Sequence, residues 1–303
     1  MNRIDRRGFI KGAALAAGAV AAGDCHALSA KAPFYGPTIR DRLWMWGHHP
    51  DMAQGSYRAK TKPWPFGNGG KIDQADACIA MGIPNDCFIR WGNKPSHPWG
   101  NYAEQFRRVK RFSFGITDGG NGTVRDKMKW AFEELKPNFP NLTGCFFDDF
   151  FAVKSLTQTE DETKKIADEV HAHGLRLSVV LYSDQDGLKP EFKSRIGMCD
   201  ETSYWFWNSK NIPSMGDSVK RCREFIGPDK DLLLGLYMWD FTLGEPVRGD
   251  RMEQQLEFAR KFLADRTITG LIFHPTFIAD CDFDSVKLSK QWIKSYGDTR
   301  WGA

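Results

Sequence analysis

The chain has 303 residues and a formal net charge of +4, with 26% charged residues in which Lys and Arg are interleaved with Asp and Glu. No basic block or stripe appears, which excludes a nucleic-acid footprint, and 41% hydrophobic residues over this length are enough for one large core. Aromatic residues reach 13%, including 11 Trp, and the 7 Cys are scattered singly with no C-x-x-C pair, which argues against structural zinc or an iron–sulfur cluster.

Reading in chain order, Asp5-Arg6-Arg7-Gly8-Phe9-Ile10-Lys11 is a twin-arginine pattern followed by an Ala/Gly-rich run over 13–22. That run is shorter and less apolar than the roughly 20 residues a bilayer-spanning helix needs. It resembles a Tat export signal. The resemblance implies a signal over 1–30, removal after Ala27 or Ala30, the Tat machinery as a partner, and a mature domain over 31–303 that works in the periplasm or outside the cell. Asp24 stands before Cys25 where a lipobox has a small residue, so a lipoprotein is disfavoured. Tat substrates cross the membrane already folded and need no disulfides. Cys78, Cys87, Cys145, Cys199, Cys222 and Cys281, most with apolar neighbours, are therefore expected as buried, inert thiols.

Beyond Lys31 no repeat, low-complexity tract or linker interrupts the chain. Short apolar or β-branched runs recur at 43–46, 86–90, 112–116, 142–147, 175–181, 202–206, 232–238 and 268–273. Helical patterns fill the intervals at 72–81, 101–110, 123–136, 157–173, 189–198, 218–226, 249–265 and 284–294. Thr157 with Glu160 has capping-box spacing and Gly174 supplies a stop. Met252, Leu256, Ala259 and Leu263 form one stripe that a sheet would cover. Eight strands alternating with eight helices predict an α/β fold, a single-domain (β/α)8 TIM barrel. An open doubly wound sheet is the alternative, but Trp46-Gly47-His48-His49-Pro50 lacks the Gly-rich phosphate loop such a sheet often carries after its first strand.

In a barrel, the residues leaving the strands face one cavity. In order these are Trp46, His48 and His49; Arg90 and Trp91; Thr117 and Asp118; Asp148 and Asp149; Tyr182, Asp184 and Gln185; Trp205, Trp207 and Asn208; Trp239 and Asp240; and His274. Trp64 and Trp99 lie in the loops after the first two strands. Flat rings among carboxylates, amides, Arg and His suit a polyhydroxylated ligand, because sugar C–H faces pack on rings while hydroxyls need directed partners. Expected saccharide contacts are Trp46, His48, Arg90, Trp91, Asp118, Tyr182, Asp184, Trp205, Trp207, Asn208, Trp239 and His274. The bland alternative is that some of these tryptophans plug the barrel end; Trp205 and Trp207 share a strand face by period two.

The sharpest signal is Phe146-Phe147-Asp148-Asp149-Phe150-Phe151, where two adjacent carboxylates leave a buried apolar strand. Neighbours at a strand end point in different directions, so the two acids meet different environments, and one stays protonated while the other stays charged. An aspartate that caps the next helix or orders the loop after it is the structural alternative for either residue alone. The barrel with this Asp-Asp pair is similar to the glycoside hydrolase barrels, in particular to retaining N-acetylhexosaminidases that use substrate assistance. The resemblance rests on the layout and one dipeptide. It implies that Asp148 polarises the substrate acetamido group and Asp149 serves as general acid/base. A second arrangement in the same class makes Asp240 the nucleophile opposite one of the pair; many such enzymes have Glu there, and here Glu245 is the nearest. No cofactor and no metal are expected in either arrangement.

Two other classes compete. A metal-dependent barrel hydrolase would draw ligands from His48, His49, Asp148, Asp149, Asp184, Asp240 and His274, although adjacent side chains such as His48 and His49 diverge on a strand. A non-catalytic carbohydrate-binding barrel would use the same rings and acids for affinity alone. His171-Ala172-His173 falls at a helix end on the opposite face of the barrel and is expected at the surface. Asp118-Gly119-Gly120-Asn121-Gly122 lacks the Gly-Lys-Ser/Thr of a phosphate loop.

Overall fold

Strands as short and apolar as these are stable only when both faces are covered, and the chain solves this by closing them into a ring. In the computed structural model, which describes residues 34–50, 72–117, 121–150, 159–183 and 187–303, eight parallel strands form a closed barrel. They are β1 (Leu43–Gly47), β2 (Asn85–Phe88), β3 (Arg111–Gly115), β4 (Leu142–Phe147), β5 (Arg176–Tyr182), β6 (Glu201–Trp205), β7 (Asp231–Tyr237) and β10 (Gly270–His274). Each pairs with its sequence neighbours, and β10 closes on β1 with Leu43 opposite Leu271. A two-residue hairpin, β8 (Trp239–Asp240) and β9 (Glu245–Pro246), hangs from the end of β7. The chain is a single-domain (β/α)8 barrel, as its alternation of runs predicts.

The outer layer contains α1 (Gln74–Met81), α2 (Val124–Lys129), α3 (Lys136–Asn138), α4 (Glu160–Ala172), α5 (Lys193–Gly197), α6 (Met215–Ile226), α7 (Gly249–Ala264) and α8 (Asp284–Tyr296). Three stretches differ from the α-helices expected, one being Pro190–Phe192, a 3-10 turn that leads into α5. Gly100–Arg108 is a 3-10 helix, and its buried positions Ala103 and Phe106, followed by Val109, recur every three residues, the period that puts them on one edge of that tighter helix. Between α2 and α3, Trp130–Leu135 is a π-helical segment. The cap of α4 is also displaced: the reciprocal box is Thr159 with Glu162, not Thr157 with Glu160, and Thr157 lies outside the described residues.

Glycine decides how the barrel interior fills. A Cβ on Gly235 of β7 would lie 2.0 Å from the Trp205 ring, and one on Gly115 of β3 would lie 3.2 Å from Phe146. Each large inward ring thus occupies the space left by a glycine on another strand. The predicted stripe on α7 is buried as expected, with Met252, Leu256, Ala259 and Leu263 all in the core. Cys78, Cys87, Cys145, Cys199 and Cys222 are buried free thiols and Cys281 is partly buried; burial pushes Cys145, Cys199 and Cys222 up to about 12. None of the described helices is long and apolar enough to cross a membrane.

Candidate active site at the barrel mouth

Strand β4 ends at Phe147, and the two following aspartates separate as neighbours at a strand end must. Asp148 is 5% exposed, and its carbonyl accepts a 2.8 Å hydrogen bond from the Thr117 hydroxyl after β3. Asp149 takes a left-handed backbone with φ of 49°, a region Asp enters more readily than most residues and one that costs about 1–3 kcal/mol. Tyr182, the last residue of β5, donates its hydroxyl to the Asp149 carboxyl. Burial holds that carboxyl above the usual carboxylate range, and the Tyr182 hydrogen bond only partly offsets the effect. The Tyr182 phenol is itself pushed well above its ordinary value by burial and by neighbouring Tyr237, Asp148 and Asp149.

From Asp149 a wall of rings runs around the mouth. Tyr182 meets Trp207 edge-on at 6.1 Å; Trp207 lies 5.8 Å from Phe241 and 6.3 Å from Tyr237; and Tyr237 lies 4.8 Å from His274. His274 meets His48 edge-on at 5.2 Å. The His48 backbone is held by Thr276, whose hydroxyl accepts from the His48 N–H at 2.8 Å and donates to its carbonyl at 3.1 Å. The structure therefore brings together Asp148, Asp149, Tyr182, Trp207, His274 and His48. Tyr237 and Phe241 join them although neither was expected. Tyr237 follows the inward Gly235 by two positions, so strand period marks it; Phe241 has no sequence signal.

Other expected contacts have different roles. Trp46 and Trp205 are 5% and 2% exposed and pack on each other at 5.2 Å, with Phe146 4.9 Å from Trp46, so they fill the barrel beneath the mouth. The Trp205 indole N–H is spent on Ser203 Oγ at 2.9 Å. Trp239 turns away, its ring 6.0 Å from Phe283 just before α8. Trp91 is half-buried and closes a tight turn with Lys94. Asn208 caps the 3-10 helix Ser209–Ser214 by accepting from the Lys210 N–H at 2.9 Å.

Two charged residues change role altogether. Arg90 is fully buried, with its guanidinium 4.8 Å from the Trp130 ring and 5.2 Å from the Trp99 ring, and it donates to the Asn121 carbonyl. It ties the loops after β2 and β3 together. Asp240 is 1% exposed, and its carboxylate accepts from three backbone N–H groups: Thr242 at 2.8 Å, Leu243 at 2.9 Å and Ser209 at 3.1 Å. A carboxylate held this way shapes the β7 loop and is poorly placed to attack a substrate carbon. Asp118, Asp184, Gln185 and Trp64 lie outside the described residues.

Among the described residues, no group of three or more His, Cys, Asp or Glu side chains is arranged to hold a metal ion. His49 stacks on Tyr102 at 5.0 Å, apart from the His48–His274 pair. His171 pairs with Asp200 at 2.8 Å on the exposed end of α4, and His173 stacks on Phe132.

No family model matches the chain, and no curated protein resembles it in sequence. Solved structures do resemble it in shape. A variant of the tryptophan synthase α-subunit from Pyrococcus furiosus is 9% identical with a TM-score of 0.50, covering 86% of this chain and 98% of that one. The PgaB (BpsB) glycoside hydrolase domain from Bordetella bronchiseptica is 12% identical with a TM-score of 0.48, covering 82% and 98%. An archaeal fructose-1,6-bisphosphate aldolase is 10% identical with a TM-score of 0.48, covering 86% and 94%. At these identities the likeness is one of fold. The closed strand order itself makes the protein a TIM barrel, and its chemistry is left to be argued from the site.

Proposed function

We propose that this protein is an exported, retaining glycosidase that cleaves an N-acetylhexosaminide with the help of the substrate's own acetamido group. The observation that carries the reading is Asp149: a carboxyl that burial raises above the usual carboxylate range, hydrogen-bonded by Tyr182, and adjacent to a second buried acid where a ring-lined wall begins. In this scheme Asp149 gives its proton to the glycosidic oxygen as the C1–O bond breaks, and the acetamido carbonyl oxygen closes on C1. Asp148 accepts a hydrogen bond from the acetamido N–H and so favours the attack. Asp149, now a carboxylate, takes a proton from the water that reopens the ring at C1, which restores its starting state with configuration retained. Trp207, Tyr237 and Phe241 offer the flat faces on which a pyranose packs. Export by the Tat route follows from the Arg6-Arg7 pattern and belongs to the same proposal.

The test is hydrolysis of a panel of aryl glycosides, N-acetylglucosaminides included, by the mature protein and by Asp149→Asn, with and without chelator. The expected outcome is chelator-insensitive turnover that falls by on the order of 10²–10⁴ in the variant, the usual worth of a general acid/base. An unchanged rate in Asp149→Asn would remove this residue from the chemistry. Absence of turnover on every substrate would favour a binding barrel.

A further inference from the structure

The histidine pair opposite the acids is not used by the chemistry above. In the closed strand order, His48 leaves β1 and His274 ends β10, across the ring from β4 and its aspartates. The two rings stand edge to face at 5.2 Å, with Tyr237, Phe241, Trp205 and Trp46 around His274 at 4.8 to 6.4 Å. Each ring has its Nδ1 buried with no hydrogen-bond partner. A buried polar nitrogen left unpaired costs on the order of 1–3 kcal/mol, and two of them side by side in an otherwise aromatic box are the pattern of a site that a ligand completes.

The charge of that box is set by its surroundings. Burial lowers the His48 imidazole to about 4 and, with His48 beside it, lowers His274 well below its ordinary value, so both rings are uncharged at neutral pH. The cation expected nearby, Arg90, is instead buried between Trp99 and Trp130. Across the mouth stand Asp148 and Asp149. A carboxylate-bearing sugar would thus meet two uncharged imidazoles with Asp148 across the mouth, while a hydroxyl would find two imidazole nitrogens able to donate or accept.

We infer that His48 and His274 read sugar hydroxyls and make this site selective for an uncharged sugar over an anionic one. The inference rests on the saccharide reading above and narrows its substrate class; it does not depend on turnover.

Calorimetry at pH 7 with N-acetylglucosamine, glucose and glucuronic acid tests it on the mature wild-type protein, His274→Gln, His48→Gln and His48→Arg. The wild type is expected to bind a neutral sugar at least about tenfold more tightly than glucuronic acid, and each Gln variant to lose roughly tenfold for the neutral sugar, the worth of about one hydrogen bond. His48→Arg should narrow or reverse the preference, because it places a guanidinium where a carboxylate would sit. Should His274→Gln fail to fold, the half-buried His48 variants carry the same expectations. Equal affinity for glucuronic acid, no binding of any of the three sugars, or unchanged neutral-sugar affinity in the Gln variants would overturn the inference. Neutral-sugar binding without hydrolysis of any glycoside would leave it standing and sink the glycosidase reading; hydrolysis of glucuronides as fast as of N-acetylglucosaminides would do the reverse.

Discussion

Asp86 shows how a single side chain sets a pH response away from the mouth. It lies on β2, fully buried, and its carboxylate has no side-chain partner, the Cys87 backbone N–H alone opposing the effect of burial. Its Oδ1 and the Gln74 Oε1 converge over Gly47, where a Cβ would stand 2.8 Å from one and 2.3 Å from the other. Burial pushes the Asp86 carboxyl well above the usual range. A group whose folded pKa is raised contributes stability below its unfolded pKa, and that contribution is lost as pH rises through the folded value. Asp86→Asn, which never ionises, should therefore gain on the wild type as pH rises from 4 to 8, by about 1–2 kcal/mol at the upper end, read from urea melts across pH. A wild-type advantage that grows with pH would show that the carboxylate is compensated. The sequence places Asp86 in a strand but carries no sign of its isolation, because partners come from elements distant in the chain.

Elements in this barrel fit by exchange of volume between strands. Trp205 needs the missing side chain of Gly235, so Gly235→Ala should cost about 1–3 kcal/mol through overpacking and weaken the near-UV circular dichroism of the displaced indole. Retention of both stability and signal would mean that the ring has room to shift. Strand positions were legible to within two residues at each end, since apolar runs of strand length bounded by turn residues have few other uses. Helix type was less legible. The spacing of Ala103, Phe106 and Val109 states a period of three, yet a nine-residue 3-10 helix is rare enough that an α-helix is the natural expectation. Thr159 and Glu162 satisfy the capping rule as well as Thr157 and Glu160 do, and only the hydrogen bonds choose between them.

At the scale of the whole molecule, the end of the barrel away from the aspartates is closed by residues 35–42 and 298–301, which bond to each other. Thr38 bridges Arg300, the Ile39 and Trp301 N–H groups bond to Thr299 and Pro37 carbonyls at 2.9 Å, and Arg40 pairs with Asp298 at 2.7 Å. Tyr35 inserts beneath the strands and donates its hydroxyl to Glu201, which also accepts from Ser178 at 2.9 Å. Burial raises the Glu201 carboxyl, while Arg176, Tyr35 and Ser178 oppose the rise. Tyr35→Phe removes one of these donors, so the folded carboxyl rises further and more stability is lost as pH increases. The expected cost is about 1–3 kcal/mol, larger at pH 8 than at pH 5 by thermal melts. No cost at either pH would mean that the phenyl packing, which Phe retains, rather than the hydroxyl, holds the plug.

The sequence by itself determined the barrel, the order of its strands and the placement of Asp148, Asp149, Tyr182, Trp207, His48 and His274 at strand ends, because strand period and chain order fix which end and which side a residue occupies. Tertiary structure alone decided depth and partnership. It sank Trp46 and Trp205 into the barrel, enclosed Arg90 between two indoles, bound Asp240 to backbone amides and set Tyr237 and Phe241 beside His274. The physical reason is that a residue's depth and hydrogen bonds depend on the sizes and donors brought by other strands, which its own neighbours in the chain do not specify.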